Sequence, residues 1–533
     1  MHEPNELILG DLIRIRAQER PDFDVLTFEG FSRGAEDEIR TYADLAENSN
    51  RIAARLIEKG IAPGDRFAIM MRNHPEFVEG MIAASIVGAM FVPIDPRTRG
   101  DKLAYMLAKS GSAGVLVADY CLEQIEEVRS KVADLRWVVA VETDEEAPEI
   151  SSVKGVEPLG EWLARPSETV EVRADSPDAP LQIMFTSGTT GDPKGIVGTN
   201  SRFCLASMLA MLFEYRDDDR PYTGLSLTHG NAQAVTLAPA LGVGLRAVFS
   251  RRFTKTKLWD VCRRYGCTLF SLVGGMATAI YSQPERPDDA DNPVRVVTSG
   301  GMPPAIWEAF ERRFGVQILE FYGAMDGGGM AYKPPGVGPI GSFGKPMPGI
   351  EMKVLDEEGN ECPPGVLGEI CVRPATGEEA SVEYFGDPEA SRKKIDRGWN
   401  RSGDIGHRDE EGWLFFDYRA GGGIRHNGDF INPSYVEKAI AEHPSVTDVF
   451  VYGIPAASGA PGEKDVVAAV VPEDPEAFDP AAIFATCREK LEPNFVPSYL
   501  QVVAEIPKTA SEKPQERILR EQFSPDAGNV YVE

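Results

Sequence analysis

The sequence predicts an α/β protein with more than one domain. A chain of 533 residues is longer than a single hydrophobic core normally organises, so at least two domains are expected. From residue 1 to about 175, and again to about 330, short apolar strand patterns alternate with segments of helical spacing. Strands separated by helices favour mostly parallel, doubly wound sheets. We therefore predict two doubly wound α/β subdomains in this part of the chain.

Local signals support these elements. Thr41 is a suitable N-cap for a helix that begins at Tyr42, because its hydroxyl can accept a hydrogen bond from a free backbone N–H. The longest apolar run, 80–94, contains glycines and a proline and is too short to span a membrane. It predicts a buried helix followed by a strand. A further helix is predicted over 253–260.

The remaining third of the chain has a different character. Residues 341–418 are rich in glycine, proline and short alternating strands, which indicates a small β-subdomain. Residues 421–533 predict a smaller α+β domain with strands at 446–454 and 465–471. The large N-terminal domain would then comprise two α/β subdomains and the β-subdomain.

Composition excludes several classes of protein. Hydrophobic residues make up 42% and charged residues 26%, as in an ordinary globular protein. The net charge of −28 repels nucleic acid and anionic membranes, so neither is an expected partner. Seven scattered cysteines without a Cys-x-x-Cys pair favour reduced thiols and a cytoplasmic location. The N-terminus lacks a basic segment, and neither a signal peptide nor a membrane segment is predicted.

A glycine- and hydroxyl-rich loop follows a buried strand pattern that ends at Phe185. Residues 185–195 read FTSGTTGDPKG. Glycines let backbone N–H groups surround an anion, hydroxyls add donors, and Lys194 adds positive charge. The common P-loop is not matched, because Pro193 stands where its second glycine would be. The loop predicts a polyphosphate site rather than a mobile polar surface loop.

Two later strand patterns end in groups that suit a nucleotide. Residues 294–303 end in paired glycines, and residues 318–326 end in an aromatic ring and a carboxylate. Ligands of open α/β sheets bind beyond the carboxyl ends of strands, so these ends and the loop could share a crevice. Glycines admit a flat base, Tyr322 offers a ring face, and Asp326 offers oxygen to Mg²⁺.

Residues 185–195 resemble the phosphate loop of the adenylate-forming superfamily, which includes acyl-CoA synthetases, adenylation domains and luciferases. Similar motifs follow in the expected order along the whole chain. The blocks at 229–233, 284–295 and 511–515 look most like the crotonobetaine/carnitine-CoA ligase group. The resemblance implies that ATP or AMP is bound by Thr186, Ser187, Gly188, Thr189, Thr190, Gly191, Lys194, Gly300, Gly301, Met302, Glu320, Phe321, Tyr322, Gly323, Ala324, Met325, Asp404 and Arg419.

The resemblance also implies an acyl-substrate site. His229 takes the place of the family's histidine or aromatic residue beside the acyl group, although a lone histidine is usually structural. Gly274 and Gly275 would admit an acyl chain, although a tight structural turn is equally compatible with them. The implied lining residues are His229, Asn231, Gly274, Gly275, Met276 and Met325.

The chain departs from the family pattern beside the expected metal. The family has Tyr-Gly-x-Thr-Glu, whereas this chain has Met325 and Asp326. Met325 removes a phosphate-facing hydroxyl. Asp326 keeps the charge of glutamate but is one methylene shorter, which favours a metal held through water. We expect activity to survive, at a cost of ~1–3 kcal/mol.

The C-terminal motifs supply the remaining implied roles. Asp404, in a turn like the family's Trp-x-x-Thr-Gly-Asp, would bind ribose, whereas an ordinary turn aspartate would only be solvated. Arg419 is a ribose or phosphate ligand by resemblance. It precedes three glycines that would form a hinge at Gly421 between domains 1–420 and 421–533. Arg425 and Gly428 would face CoA.

Lys513 is the implied catalytic lysine. It holds the last position of a motif like the family's Pro-Lys-Thr-x-x-Gly-Lys, in which Glu512 replaces the glycine. In the family this lysine reaches the acyl carboxylate and the α-phosphate during adenylation. His229 and Thr186 are the other residues to which the resemblance assigns a catalytic role.

The sequence therefore predicts an AMP-forming acyl- or aryl-CoA ligase that uses a carboxylic acid, ATP, Mg²⁺ and CoA. Two alternatives remain. One is an adenylation enzyme that passes its acyl group to a carrier-protein thiol. The other is a catalytically weak binding protein, suggested by Met325, Asp326 and the glycine triplet. The acid is not identified, and the oligomeric state is left open, with a homodimer as one option.

Overall fold

The computed structural model describes residues 3–185, 193–273, 275–327, 329–419, 424–426, 429–431, 433–457, 464–491, 493–509 and 512–533. The chain forms two compact units that are not continuous in sequence. The first comprises Met1–Ser271, Asn292–Val297 and Glu383–Arg392. The second comprises Leu272–Asp291, Thr298–Val382 and Lys393–Glu533. Their boundaries fall within strands Leu269–Val273 and Val296–Gly300 and within helix Pro388–Lys394.

The first unit contains a seven-stranded, mostly parallel sheet. Its central strands are continuous apolar runs, as expected of strands that are covered on both faces. Only the last pair is antiparallel, and it closes the phosphate-loop segment through the partners Phe185 and Gly195. In spatial order the strands are Val156–Pro158, Trp137–Val141, Gly114–Ala118, Arg66–Met70, Met90–Pro93, Pro180–Phe185 and Gly195–Thr199.

A second strand assembly of this unit is parallel except for its edge. Its strands in order are Leu269–Val273, Pro221–Thr223, Ala247–Phe249, Asp24–Phe28 and Glu38–Thr41. The α-helices of the unit are Leu9–Glu19, Tyr42–Glu58, Pro75–Val87, Gly100–Ser110, Leu122–Arg129, Leu159–Ala164, Asn200–Leu205, Leu209–Leu212 and Leu258–Tyr265. Short 3₁₀ turns occur at Phe31–Arg33, Asp119–Cys121, Ile150–Ser152 and Ala206–Met208, and π-helical turns at Ala232–Leu237 and Ala240–Gly244.

Most of the local predictions for this unit are confirmed. Thr41 forms a capping box with Asp44 at the start of helix Tyr42–Glu58. The apolar run at 80–94 forms the end of helix Pro75–Val87 and strand Met90–Pro93. The helix predicted over 253–260 is wrong at its start, because it begins at Leu258. Residues 254–257 form a turn instead, in which the N–H of Lys257 donates to the carbonyl of Thr254.

In the second unit, an antiparallel region confirms the predicted β-subdomain. The third and fourth strands pair Asp404 with Arg419, and their register shifts at Ile405–Gly406. The strands in spatial order are Ile350–Leu355, Gly368–Pro374, Trp399–Arg408, Leu414–Arg419, Ser342–Pro346, Met330–Lys333 and Gln317–Gly323, with Ile395–Asp396 paired to the third. Helices Gly275–Tyr281 and Trp307–Phe314 belong to the same unit.

The last part of the second unit has its own core. Strands Ile424–His426 and Asp429–Ile431 form a hairpin, and a four-stranded sheet has the order Val446–Pro455, Lys464–Pro472, Tyr499–Val502 and Val530–Val532. The helical segments are Pro433–Ala441, Pro480–Lys490, Pro493–Phe495 and Glu516–Gln522. The strands predicted at 446–454 and 465–471 are confirmed, and the chain has the predicted α/β class.

The domain boundary after residue 420 stays a prediction, since 420–423 lie outside the described residues. Across the part of the chain that the structure describes, no helix is both long and apolar enough to cross a bilayer.

Lys513 is presented by a tight hairpin near the C-terminus. Lys508 and Pro514 form an antiparallel bridge. The N–H of Thr509 donates to the carbonyl of Lys513 at 2.8 Å, and the N–H of Lys513 donates to the Thr509 hydroxyl at 3.2 Å. Glu512 adopts φ = 57°, the left-handed conformation that glycine favours. The turn therefore requires the left-handed backbone conformation that suits the family's glycine, although this chain has glutamate at position 512.

Replacing Glu512 by glycine should stabilise this hairpin. A non-glycine residue in the left-handed region costs roughly 1–2 kcal/mol, partly offset because glycine gains entropy in the unfolded chain. We expect Glu512→Gly to raise the free energy of unfolding by about 0.5–1 kcal/mol in urea denaturation of the full chain.

Glu521→Gly is the matched control, because Glu521 lies in helix Glu516–Gln522. That change should lower stability by about 1 kcal/mol. Equal destabilisation by the two substitutions would contradict the assignment of backbone strain to Glu512.

Candidate active site

Asp404 is the centre of a polar cluster in the second unit. It lies in strand Trp399–Arg408 and is only 5% exposed. The Tyr322 hydroxyl donates to Oδ2 at 2.5 Å, and Nη1 of Arg419 donates to Oδ1 at 2.6 Å. The Asp404 N–H donates to the Ser402 hydroxyl at 2.9 Å. Because an ionised carboxylate has about four acceptor positions, Asp404 can still accept two ribose hydroxyls.

Local structure explains this arrangement. Asp404 and Arg419 face each other across an antiparallel strand pair, which places their side chains together. The Tyr322 ring stacks on Phe343 with centroids 4.5 Å apart, which orients the plane of the ring. Burial, together with the charge of Asp404, raises the pKa of the Tyr322 hydroxyl, so it remains a hydrogen-bond donor.

Lys513 belongs electrostatically to the same cluster. By residue area it is exposed, yet protein atoms crowd its ammonium group and hinder hydration. This desolvation lowers the pKa of Lys513, and the positive charge of Arg419 lowers it further. Asp404 and Asp326 act in the opposite direction. The charge of Lys513 is therefore coupled electrostatically to the two candidates for ribose binding, Asp404 and Arg419.

The side chain of Glu320 stabilises the paired-glycine turn by hydrogen bonding to its backbone. Its buried carboxylate accepts the N–H of Gly301 at 2.5 Å and that of Met302 at 3.1 Å. Burial raises the pKa of Glu320 to about 7, while the two backbone donors act against that rise. Glu320 therefore shapes the turn after strand Val296–Gly300. The nucleotide contact that the resemblance implies for Glu320 stays a prediction.

The metal candidate Asp326 is already paired. Its Oδ2 lies 2.8 Å from Nζ of Lys394, and both side chains are about one-eighth exposed, at 13% and 14%. The buried Asn400 donates its Nδ2 to the Asp326 carbonyl at 2.7 Å. Among the described residues, no three His, Cys, Asp or Glu side chains converge on a metal position. Mg²⁺ is often bound by one carboxylate plus substrate phosphates and water, so Asp326 fits that mode.

In the first unit, Lys194 is held at the exit of the phosphate loop. Its ammonium lies 5.1 Å from the centroid of the Tyr384 ring, within reach of a cation–π interaction. Tyr384 also bridges the backbone of Ile196, and the N–H of Phe385 donates to the carbonyl of Gly195 at 2.7 Å. Segment 383–392 therefore fixes the end of the loop. The loop residues Thr186, Ser187, Gly188, Thr189, Thr190 and Gly191 lie outside the described residues.

His229 has a structural contact in the first unit. Its Nδ1 accepts the N–H of Asn231 at 3.3 Å, where the helical segment begins, so the neutral ring carries its proton on Nε2. Asn231 is 9% exposed, and its Oδ1 is buried without a partner among the described residues. The π-helical turn Ala232–Leu237 follows directly, and such turns are frequent at functional sites. The assignment of these residues to the acyl group stays a prediction.

The other acyl candidates belong to the second unit. Met276 is buried in helix Gly275–Tyr281, and Met325 is partly buried after strand Gln317–Gly323. A Cβ added to Gly275 would lie 3.8 Å from Nζ of Lys508, an ordinary contact distance. Phe321 and Gly323 complete that strand, and Ala324 follows it. Gly274 lies outside the described residues.

The CoA and hinge residues are not tested by the structure. The backbone of Arg425 belongs to strand Ile424–His426, but its side chain is not described. Gly428 and Gly421 lie outside the described residues. Their roles remain predictions.

Sequence reasoning missed several residues around the site. Lys394 lies in a Lys-Lys pair at a helix end, where a solvated face is the ordinary interpretation. Phe343 lies in a strand without a motif of its own, whereas Asn400 is an unspecified position of the motif at 399–404. Lys508 forms an ion pair with Asp448 at 2.6 Å, which anchors the base of the Lys513 hairpin. Lys508 also stands in a recognised motif, and its spacing from Lys513 could have identified it.

Glu320 should give the protein a pH-dependent stability. Since its folded pKa of about 7 is above that of an unfolded glutamate, ionisation costs more in the folded state. Stability from this group is therefore present at low pH and is lost as pH rises from about 4.5 to 7. Glu320→Gln keeps an acceptor for the turn but cannot ionise. Relative to wild type, its free energy of unfolding should rise by on the order of 1–3 kcal/mol between pH 5 and 8.

Glu437→Gln is the control for this experiment. Glu437 is partly buried, its pKa is also raised to about 7, and it accepts the Val451 N–H at 2.9 Å, away from the turn at Gly301. Both variants should show the pH trend, but only Glu320→Gln should change nucleotide affinity. A stability difference between Glu320→Gln and wild type that is independent of pH would contradict the raised pKa.

Comparison with known proteins agrees with this geometry. Residues 13–377 match the profile of the AMP-binding enzyme family, and residues 435–513 match the AMP-binding enzyme C-terminal domain. The crotonobetaine/carnitine–CoA ligase of Salmonella choleraesuis (strain SC-B67) is 28% identical over 486 residues, covering 89% of this chain and 91% of that protein.

Solved structures are similar over nearly the whole chain. The anthranilate CoA ligase AuaEII, in complex with anthranoyl-AMP, has a TM-score of 0.84 at 23% identity and covers 96% of each chain. The O-succinylbenzoate coenzyme A synthetase of Bacillus subtilis, in complex with ATP and magnesium, has a TM-score of 0.77 at 25% identity, covering 96% of this chain and 99% of that one. Since the family profile spans more than half of the sequence, this chain belongs to the AMP-binding enzyme family.

Proposed function

We propose that the protein is an ATP-dependent acid–CoA ligase that proceeds through an acyl-AMP intermediate. The observation that supports this most directly is the contact of Asp404 with Tyr322 and Arg419, together with the electrostatic effect of Asp404 and Arg419 on Lys513. It combines a cation for phosphate charge with acceptors for a ribose and a ring for a base. The relatives that match along the chain include ligases for crotonobetaine/carnitine and anthranilate.

In the first half-reaction, an oxygen of the substrate carboxylate attacks the α-phosphorus of ATP. A new P–O bond forms, the bond from the α-phosphorus to the bridging oxygen breaks, and pyrophosphate leaves with the bonding electron pair. Lys513 stabilises the negative charge that develops between the carboxylate and the α-phosphate. Lys194 and the phosphate-loop donors hold the leaving pyrophosphate. Neutralisation of phosphate charge is what a bound Mg²⁺ supplies to such a site, held through Asp326.

In the second half-reaction, the thiolate of CoA attacks the acyl carbon. A C–S bond forms, the C–O bond to the phosphate breaks, and AMP leaves. Rotation about Gly421 withdraws Lys513 and turns Arg425 and Gly428 towards CoA. The chemistry requires no side-chain nucleophile, so the protein acts by positioning and by electrostatic stabilisation.

The acyl group is recognised by His229, Asn231, Met276 and Met325 together with the glycines at 274 and 275. Among these residue types apolar side chains and glycines accompany one or two polar groups, which suits aliphatic, aromatic and betaine acids. All seven cysteines lie in the described residues and are free and buried, which supports a cytoplasmic location. A homodimer remains a hypothesis for the quaternary structure.

An acid-panel screen tests this proposal. Purified protein is incubated with ATP, Mg²⁺ and aliphatic, aromatic or betaine acids, with and without CoA, and pyrophosphate release is measured. With a correct acid, we expect one equivalent of acyl-AMP per enzyme without CoA, and catalytic AMP and thioester formation with CoA. Reactions without the acid are the background control.

The outcomes separate the alternatives. Acyl-AMP that forms but is never passed to CoA, while a carrier-protein thiol accepts the acyl group, would favour the carrier-dependent adenylation enzyme. Binding of ATP without acid-dependent pyrophosphate release across the whole panel would contradict the ligase proposal and favour the catalytically weak homologue.

A further inference from the structure

Lys394 forms an ion pair with Asp326, the carboxylate that is expected to bind the metal. Its Nζ lies 2.8 Å from Oδ2 of Asp326 and 3.3 Å from the carbonyl oxygen of Ser402. The Lys394 and Asp326 side chains are 14% and 13% exposed. This is therefore a largely enclosed pair rather than a solvated surface contact, and water screens it less than a surface pair.

We propose that Lys394 and a divalent metal compete for Asp326, and that Lys394 thereby sets how strongly nucleotide binding depends on the metal. The inference rests on the proposed function, because it concerns the metal that accompanies ATP. It assigns Lys394 as a positioning residue that acts through Asp326.

The backbone of Asp326 is fixed independently of Lys394. The fully buried Asn400 donates its Nδ2 to the Asp326 carbonyl at 2.7 Å. A Cβ on the next residue, Gly327, would lie only 2.8 Å from that same Nδ2, so the backbone here packs closely on Asn400. Asp326 is also one methylene shorter than glutamate. The carboxylate therefore has little freedom to bind a metal while keeping its contact with the lysine.

The position of Lys394 is equally defined. It is the last residue of helix Pro388–Lys394, and the strand Ile395–Asp396 that follows turns back onto Trp399–Arg408. The latter strand supplies Asn400, Ser402 and Asp404. The ammonium of Lys394 thus bridges the metal candidate and the backbone beside the ribose candidate.

Electrostatics make simultaneous occupancy unfavourable. A divalent cation on Asp326 would stand close to the Lys394 ammonium, and like charges at such distances repel strongly in a partly buried site. The negative charge of Asp326 also acts electrostatically on Arg419 and Lys513, so Lys394 is not the only cation that it affects. A metal therefore has to displace the Lys394 ammonium from Asp326. Without metal, the pair keeps Asp326 neutralised, so its charge does not repel the phosphates.

Calorimetric binding of α,β-methylene ATP, which cannot be cleaved at the reacting bond, tests this inference. Dissociation constants are measured with EDTA and with saturating Mg²⁺. The constant with EDTA divided by the constant with Mg²⁺ gives the coupling between metal and nucleotide. Lys394→Gln keeps a donor for Asp326 but removes the charge, so the ratio should rise at least about fivefold. Lys394→Arg should keep a ratio close to that of wild type.

Two further variants identify the route of the effect. Asp326→Asn removes the contested carboxylate, so adding Lys394→Gln to it should no longer change the ratio. Lys353→Gln is the matched control, since Lys353 pairs with Glu351 and Glu361 elsewhere in the same unit. It should leave the ratio unchanged. Thermal denaturation of each variant verifies that it is folded.

The results discriminate between this inference and the proposed function. Equal ratios in wild type and Lys394→Gln would overturn the competition. An effect of Lys394→Gln that persists in the Asp326→Asn background would also overturn it, because the lysine would then act directly on phosphate. Absence of analogue binding under both conditions would overturn the proposed function as well.

Discussion

The candidate site depends on one buried carboxylate that is charged and directly hydrogen-bonded. Asp404 is desolvated, and an isolated charge in that environment would be costly. It is tolerated because the Tyr322 hydroxyl and the Arg419 guanidinium each donate to one of its oxygens. Removing either donor would leave a buried charge partly unpaired, so these three residues constrain one another.

The contacts of Asp404 also affect the other residues of the candidate site. Tyr322 is held between Asp404 and the ring of Phe343, which orients its plane. Arg419 is the last described residue before the predicted hinge, and its charge lowers the pKa of Lys513. The ribose candidate, the base candidate and the candidate catalytic lysine are therefore coupled through Asp404 and its partners.

The overall charge of the protein makes these local cations necessary. A chain with a net charge of −28 repels a polyphosphate at long range. Within the second unit, Arg419 pairs with Asp404, Lys394 pairs with Asp326, and both carboxylates act electrostatically on Lys513. In the first unit, Lys194 lies over the ring of Tyr384 at the exit of the phosphate loop. We therefore expect attraction of ATP to depend on these positions rather than on the whole surface.

Much of the fold could be predicted from the sequence, because apolar strands that alternate with helices have few stable arrangements. Asp404, Arg419 and Lys513 could be predicted because each lies in a motif with defined spacing. Lys394 could not, since its partner Asp326 is distant in sequence and a Lys-Lys pair usually faces solvent. The late start of the helix at Leu258 reflects a local turn, bonded from Lys257 to Thr254, that hydrophobic spacing does not reveal.

Other features could be recognised only in part. Glu512 was identified as a replacement for glycine, but its left-handed backbone is visible only in the folded hairpin. The resemblance implies a nucleotide contact for Glu320, but it does not reveal that the Glu320 carboxylate accepts backbone N–H groups of the glycine turn. That interaction depends on burial, which is determined by the neighbouring strands rather than by the local sequence.

The central claim is that Lys513 drives adenylation and is dispensable afterwards. Measuring the two half-reactions separately in Lys513→Ala tests it most directly, with acid-dependent pyrophosphate–ATP exchange for the first and conversion of supplied acyl-AMP to thioester for the second. We expect exchange to fall by at least about 100-fold, as for loss of a group that stabilises transition-state charge, while thioester formation stays within a few-fold of wild type. Equal loss in both half-reactions, or normal exchange, would contradict the account.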